Sequence, residues 1–217
     1  MKIHSPVRTR VLLVLLAAAG FSALTACVPL VLGGAVATGT VVATDRRTSG
    51  TVVEDNGIAL KAGNRISENL GDRVHVNVTS YNRQVLLTGE VPSEQDKQLV
   101  EKVVSNVENV SSIINELAVM GPSTFGQRSS DALVTSRVKS ALVDAKDLIS
   151  NAFKIVTERG TVYVMGRVTQ REANRATEII TATSGVQKLV RVFDIISEDE
   201  LARTLPQKPA PAPSNKN

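Results

Sequence analysis

The sequence predicts an α+β protein that builds one small αββαβ unit twice. Three observations carry that expectation. The chain matches itself at an offset of 76 to 77 residues, with Gly89 in VLLTGEVPSEQD facing Gly166 in VYVMGRVTQREA. Short β-branched runs alternate around brief polar turns, the pattern of hairpins. Before and after those runs, apolar residues recur every three or four positions, the period of an amphipathic helix.

The elements follow in order. Ile58, Ala62 and Ile66 predict an opening helix that starts near Asp55-Asn56-Gly57-Ile58; Val134, Val138 and Leu142 repeat the spacing, with Asp131-Ala132-Leu133-Val134 at the start. Val74-Val76-Val78 alternates, Asn82-Arg83-Gln84 turns and Val85-Leu86-Leu87 returns. The second copy offers Phe153-Ile155-Thr157, the turn Arg159-Gly160, and Val162-Val164. Ser93 with Asp96, and Thr169 with Glu172, look like capping pairs that open a second helix. That helix is expected to bury Leu99, Val103 and Val107 in the first copy and Ala173, Ala176 and Ile180 in the second. A last strand runs Val110 to Val119 and Val186 to Ile196. A helix between two strands supplies the crossover a parallel pair needs, so each unit should be a three-stranded mixed sheet covered on one face by two helices. Gly89 and Gly166 mark a bulge or a close helix approach, and His75, alternating with Val74 and Val76, is expected to face solvent.

Composition narrows the function. Hydrophobic residues make up 42% and mean hydropathy is +0.04, which suits a folding chain. Aromatics are 3% with no Trp, against a stacking platform for single-stranded nucleic acid. One Cys and two His leave no disulfide framework and no cysteine-based zinc site. His75 lacks a second His, a thiol or clustered carboxylates. Ser129-Ser130-Asp131 has no His partner and reads as a helix cap, and Gly33-Gly34 and Gly39 lack phosphate-loop spacing. No catalysis is expected.

The N-terminus reads as an address. Lys2, Arg8 and Arg10 precede an unbroken apolar run, Val11 to Ala19, and small residues follow: a secretory signal over 1–26. It ends Leu24-Thr25-Ala26-Cys27, which resembles the lipobox of bacterial lipoproteins. That resemblance implies that Cys27 becomes the first residue and carries a covalent diacylglycerol and an N-acyl chain, with no other cofactor. Val28 stands where an Asp resembles the inner-membrane retention signal, so the outer membrane is the expected destination. Without 1–26 the chain holds 22 Lys and Arg against 21 Asp and Glu, so the pI of 9.4 belongs mostly to the signal and no nucleic-acid partner is expected. Residues 27–53 read as a lipidated tether and 197–217 as a disordered tail, PQKPAPAPSNKN at its end, although Glu198-Asp199-Glu200 suits the start of a short helix.

Helix, hairpin, capped helix and final strand resemble the BON domain. Val85, Leu87, Gly89, Val91, Val110, Ile113, Asn115 and Leu117 supply the pattern over 54–121. Val162, Val164, Gly166, Val168, Val186, Leu189 and Phe193 supply it over 122–196, with Arg191 where Asn is usual. Two tandem BON domains behind a lipobox resemble the dual-BON lipoproteins of the DolP type. The resemblance implies the αββαβ fold, a lipid-anchored protein at the periplasmic face of the outer membrane of a Gram-negative bacterium, binding of anionic phospholipid through BON domain 2, action at division sites and support of envelope integrity. The family's contact helix aligns with Ser130 to Val143, with Leu133 in place of a Trp.

The residues point partly the same way. Residues 54–121 hold six basic against ten acidic side chains, and 122–196 eleven against seven, so an anionic bilayer such as one with phosphatidylglycerol attracts only the second copy. On a helical wheel Val134, Val138, Ala141 and Leu142 share the core face, while Leu133 and Val143 point away with Ser136 and Ser140 between and Arg137 and Lys139 on the flanks. The expected phospholipid-binding set is Leu133, Val134, Ser136, Arg137, Lys139, Ser140 and Val143. Two alternatives stay open: a protein-binding adaptor or chaperone-like factor for envelope-assembly proteins, using the acidic first copy, and a ring-forming structural subunit.

Overall fold

The structure, a computed structural model, describes residues 45–204. Cys27, the signal over 1–26, most of the tether and the Pro-rich end lie outside the described residues. The first copy runs α1 (Ser49–Leu70), β1 (His75–Tyr81), β2 (Gln84–Val91), α2 (Glu94–Ser105), β3 (Ser112–Asn115) and β4 (Ala118–Val119). The second runs α3 (Phe125–Asp144), β5 (Phe153–Glu158), β6 (Thr161–Thr169), α4 (Gln170–Ala182) and β7 (Lys188–Ile196), and α5 (Glu198–Thr204) closes the described chain. Helix therefore begins at Ser49, inside the stretch assigned to the tether, and resumes at Glu198, inside the stretch assigned to the tail.

Each sheet pairs as the crossover argument requires: β1 with β2 and β5 with β6 antiparallel, β2 with β3 and β6 with β7 parallel. Asn82 and Arg83 (φ 50° and 65°), like Arg159 and Gly160 (φ 48° and 70°), take the left-handed conformation that a two-residue hairpin turn demands. A helix residue holds each turn. Asp55 accepts hydrogen bonds from the amides of Asn82 and Arg83, both at 2.8 Å, and from the Ser80 hydroxyl at 2.6 Å. Asp131 accepts from the amides of Arg159 at 2.7 Å and Gly160 at 2.8 Å. The two Asp predicted at helix starts thus lie inside their helices, buried, because each satisfies turn amides that would otherwise be orphaned.

Ser93 and Thr169 cap α2 and α4 as expected, each side chain accepting from an amide three residues on. On α2, however, Val100 and Val104 are the fully buried residues and Leu99 and Val103 are half-buried. The run LVEKVV is apolar in both phases, so the wheel alone could not choose between them. Ala173, Ala176 and Ile180 line the core of the second copy as expected.

The last strand of the first copy is broken. β3 and β4 keep one register against β2, Gln84 facing Ser112 and Glu90 facing Ala118, but the chain lifts away between them. Asn115 holds the break: its amide group donates to the Lys97 carbonyl at 3.2 Å and to Glu101 at 2.9 Å, and its oxygen accepts from the Leu117 amide at 3.3 Å. Leu117 drops into the core. At the matching position of the second copy stands Arg191, and β7 runs nine residues unbroken.

Gly89 (φ +112°) and Gly166 do mark close approaches, Gly89 to the neighbouring strand β1 and Gly166 to the short 3-10 helix Ser150–Ala152 that leads into β5. A Cβ on Gly89 would lie 2.1 Å from the His75 carbonyl oxygen, and one on Gly166 would lie 2.6 Å from that of Ala152.

The helix-free faces of the two sheets pack on each other through Tyr81, Leu86, Tyr163, Met165 and Val192, giving a helix–sheet–sheet–helix order of layers. The second hairpin turn reaches the end of β2, with Arg159 Nη1 2.7 Å from Glu90 Oε1; the first reaches the end of β6, with the Tyr81 hydroxyl accepting from the Arg167 amide at 3.3 Å. His75 is only partly exposed: its Nδ1 lies 2.8 Å from Glu90 Oε2, so it joins this buried carboxylate at the seam.

The segment before α1 is stitched across the seam. Arg46 makes a bidentate pair with Glu172, at 2.7 and 2.6 Å, and donates to the Arg167 carbonyl at 2.9 Å. Arg47 bonds Asp45 and Asp55, both at 2.7 Å, and its guanidinium lies 4.3 Å over the Tyr81 ring.

Candidate membrane-facing site

Helix α3 is longer than its apolar spacing indicated. The Thr124 side chain accepts from the Gln127 amide, and Gln127 reaches back to the Thr124 amide at 2.7 Å, a complete capping box that starts the helix at Phe125, six residues before Asp131. Thr-Phe-Gly-Gln is a Thr-x-x-Gln signature, so the sequence did hold the signal. The earlier start brings in Phe125, 83% exposed.

Val134, Val138 and Leu142 turn to the sheet, and Asp131 turns with them to the hairpin. Val134 is 4% exposed and packs in the core, so it leaves the expected lipid-contact set: it lies on the face opposite Leu133. The other residues of the set are exposed on the helix. Leu133 (60% exposed) and Val143 (65%) point outward with Ser136 and Ser140, and Phe125 falls on the same azimuth as Val143. Eighteen residues separate those two, about 27 Å along the helix at 1.5 Å per residue. The outward face is thus apolar at both ends and the middle, with serines between.

Cations flank it on both sides. Arg137 stands on one flank, its nearest partner the Ser184 carbonyl at 3.5 Å. Arg128 and Lys139 stand on the other, with no side-chain hydrogen bond or ion pair among the described residues. Arg128 borders a hollow of about 440 Å³ that reaches the seam, lined also by His75, Asn77, Thr135 and Glu158. Burial pushes the Glu158 carboxyl above its ordinary range, partly offset by the 2.5 Å hydrogen bond from Asn77.

Cys27 lies outside the described residues. Among the described residues no three His, Cys, Asp or Glu gather closely enough to hold a metal ion, and no helix is long and apolar enough to cross a membrane.

Comparison with known proteins gives the lineage. The family pattern described as BON domain matches residues 54–121 and again 130–196. Over 169 residues the chain is 37% identical to the outer membrane lipoprotein DolP of Haemophilus influenzae, covering 77% of this chain and 87% of that protein. It is 28% identical over 154 residues to the 21 kDa hemolysin of Actinobacillus pleuropneumoniae, covering 70% of this chain and 79% of that one. With the osmotically-inducible protein Y of Escherichia coli it shares 30% identity over 118 residues, or 52% and 58% of the two chains. Two BON copies in tandem, matched along most of a DolP, make this chain a member of the BON-domain family and, within it, an outer-membrane lipoprotein of the dual-BON, DolP type.

Proposed function

We propose that the protein is tied to the outer membrane by acyl chains on Cys27 and lays α3 of the second BON domain on anionic phospholipid such as phosphatidylglycerol. The observation that carries this reading is the outward face of α3: Phe125 and Val143 exposed on one azimuth and Leu133 exposed about 80° round the helix, with Arg128, Arg137 and Lys139 on the flanks. A helix with this arrangement settles in the headgroup layer, its apolar side chains shallowly inserted and its cations on phosphates. Phe125 supplies the interfacial ring that Leu133 does not. Support of envelope integrity and action at division sites follow from the family resemblance. The role is non-catalytic.

Flotation of the chain carrying Cys27→Ser, so that no anchor masks weak binding, with phosphatidylglycerol vesicles tests the face. Leu133→Glu and Phe125→Glu should each lower partitioning roughly tenfold, as expected for losing one inserted apolar side chain, with the circular dichroism unchanged. Partitioning that ignores both substitutions removes α3 as the contact. Mass spectrometry of the mature protein tests the anchor separately, an unmodified Cys27 being the contrary result.

One observation favours a second partner. On the acidic first copy, Val53 and Leu60 stand exposed on the outward face of α1, a surface suited to a protein of the assembly machinery more than to an anionic bilayer.

A further inference from the structure

Beside its outward face, α3 does not seal against its own sheet. β5 is an edge strand, and a slot of about 310 Å³ opens between it and the C-terminal half of α3. Leu142, Val143, Phe153 and Ile155 line the slot together with Lys139, Ser150 and Asn151. No acidic side chain lines it. The volume sits at the lower end of what a small-molecule site encloses, which suits a chain end and not a whole lipid.

Charge indicates what kind of chain. Lys139 has no hydrogen bond or ion pair among the described residues. Lys154 is held below the ordinary lysine range, first by burial, then by the charge of Arg47 and least by that of Lys139, against the opposite pull of Asp55 and Asp45. A slot lined mainly by apolar side chains, with the unpartnered cation of Lys139 in its lining, complements an alkyl chain that carries an anionic head.

We propose that the slot takes the end of one acyl chain of an anionic phospholipid, the chain folding back out of the leaflet toward its own phosphate on Lys139. The inference rests on reading α3 as the membrane-facing helix and adds a single-lipid seat to it. Val143 belongs both to the outward face and to the slot wall, so a chain passing it leaves the bilayer without crossing water.

The test uses the full-length protein from the outer membrane, reconstituted in phosphatidylcholine vesicles doped with a phosphatidylglycerol that carries a diazirine at the end of one chain. Illumination and peptide mapping then locate the label. The expected result is label on Leu142, Phe153 and Ile155, about fivefold above that from an equally labelled phosphatidylcholine, and its loss in Lys139→Glu. In Leu133→Glu, which leaves the slot walls intact, residual label should still favour Phe153 and Ile155 over Phe125. Label confined to Phe125, Leu133 and Val143 overturns the slot while leaving the membrane face standing. No label anywhere on α3 or β5 overturns both. Equal labelling by the two lipids, or stronger labelling by a diazirine fatty acid than by phosphatidylglycerol, overturns the assignment to an anionic phospholipid.

Discussion

Single side chains in this protein titrate in opposite directions. Burial works against the charge on Asp55, yet hydrogen bonds from Ser80, Arg83, Arg47 and Asn82 outweigh it and hold the carboxyl below its usual range. A carboxyl whose folded pKa is depressed contributes stability above its unfolded value, about 3.9, and loses it as pH falls through the folded value. The urea midpoint should therefore hold from pH 7 to 5 and drop below about pH 4, with a shallower drop in Asp55→Asn. Glu158 has the reverse sign: burial raises its pKa, so its contribution is complete in acid and is lost as pH rises through the raised value. Glu158→Gln, which keeps an oxygen for Asn77, should stabilise the fold at pH 7 and change little at pH 4. Gly89→Ala places a Cβ on the His75 carbonyl at a left-handed φ. A cost of about 2–4 kcal/mol is expected from chemical denaturation.

Among the elements, those written locally were legible in the sequence and those completed from afar were not. The capped starts of α2 and α4, both hairpins and the core stripe of α3 each rest on residues within a turn or two of one another. Asp55 and Asp131 read as helix starts because the amides they satisfy lie 27 to 29 residues downstream. The break between β3 and β4 hinges on one Asn, and only the contrast with Arg191 shows that it matters. Of the lipid-contact set, the outward residues were visible from the wheel, whereas Val134 belongs to the opposite face and Phe125 required the capping box to be noticed. The stitch before α1 was invisible, since nothing in Asp45-Arg46-Arg47 indicates that Glu172 receives it. Glu172 already accepts from the Thr169 amide at 3.0 Å, and Arg46 covers its remaining charge in a buried site. Arg46→Ala should cost about 3 kcal/mol by leaving that carboxylate unpaired, and adding Glu172→Gln should recover part of the loss.

Across the whole molecule, sheet-to-sheet packing turns a difference in charge into a direction. The helices of the acidic copy and those of the basic copy form opposite outer layers, so the layer that an anionic bilayer attracts points away from the one it repels. Binding to phosphatidylglycerol vesicles should weaken steeply with salt, because beyond about 8 Å little of this asymmetry survives physiological ionic strength. A residual, salt-insensitive part should vanish with Phe125→Glu.

The stitch at Arg46 also decides how the protein bears a load. On the proposed acylation of Cys27, the eighteen positions to Asp45 set an upper limit of roughly 60 Å between the leaflet and the folded body. Force travelling along this cord meets Glu172 at the root of α4 and Tyr81 beneath Arg47 before it meets α1. Tension is thus delivered as shear to both halves at once, and the first helix is spared from peeling open turn by turn.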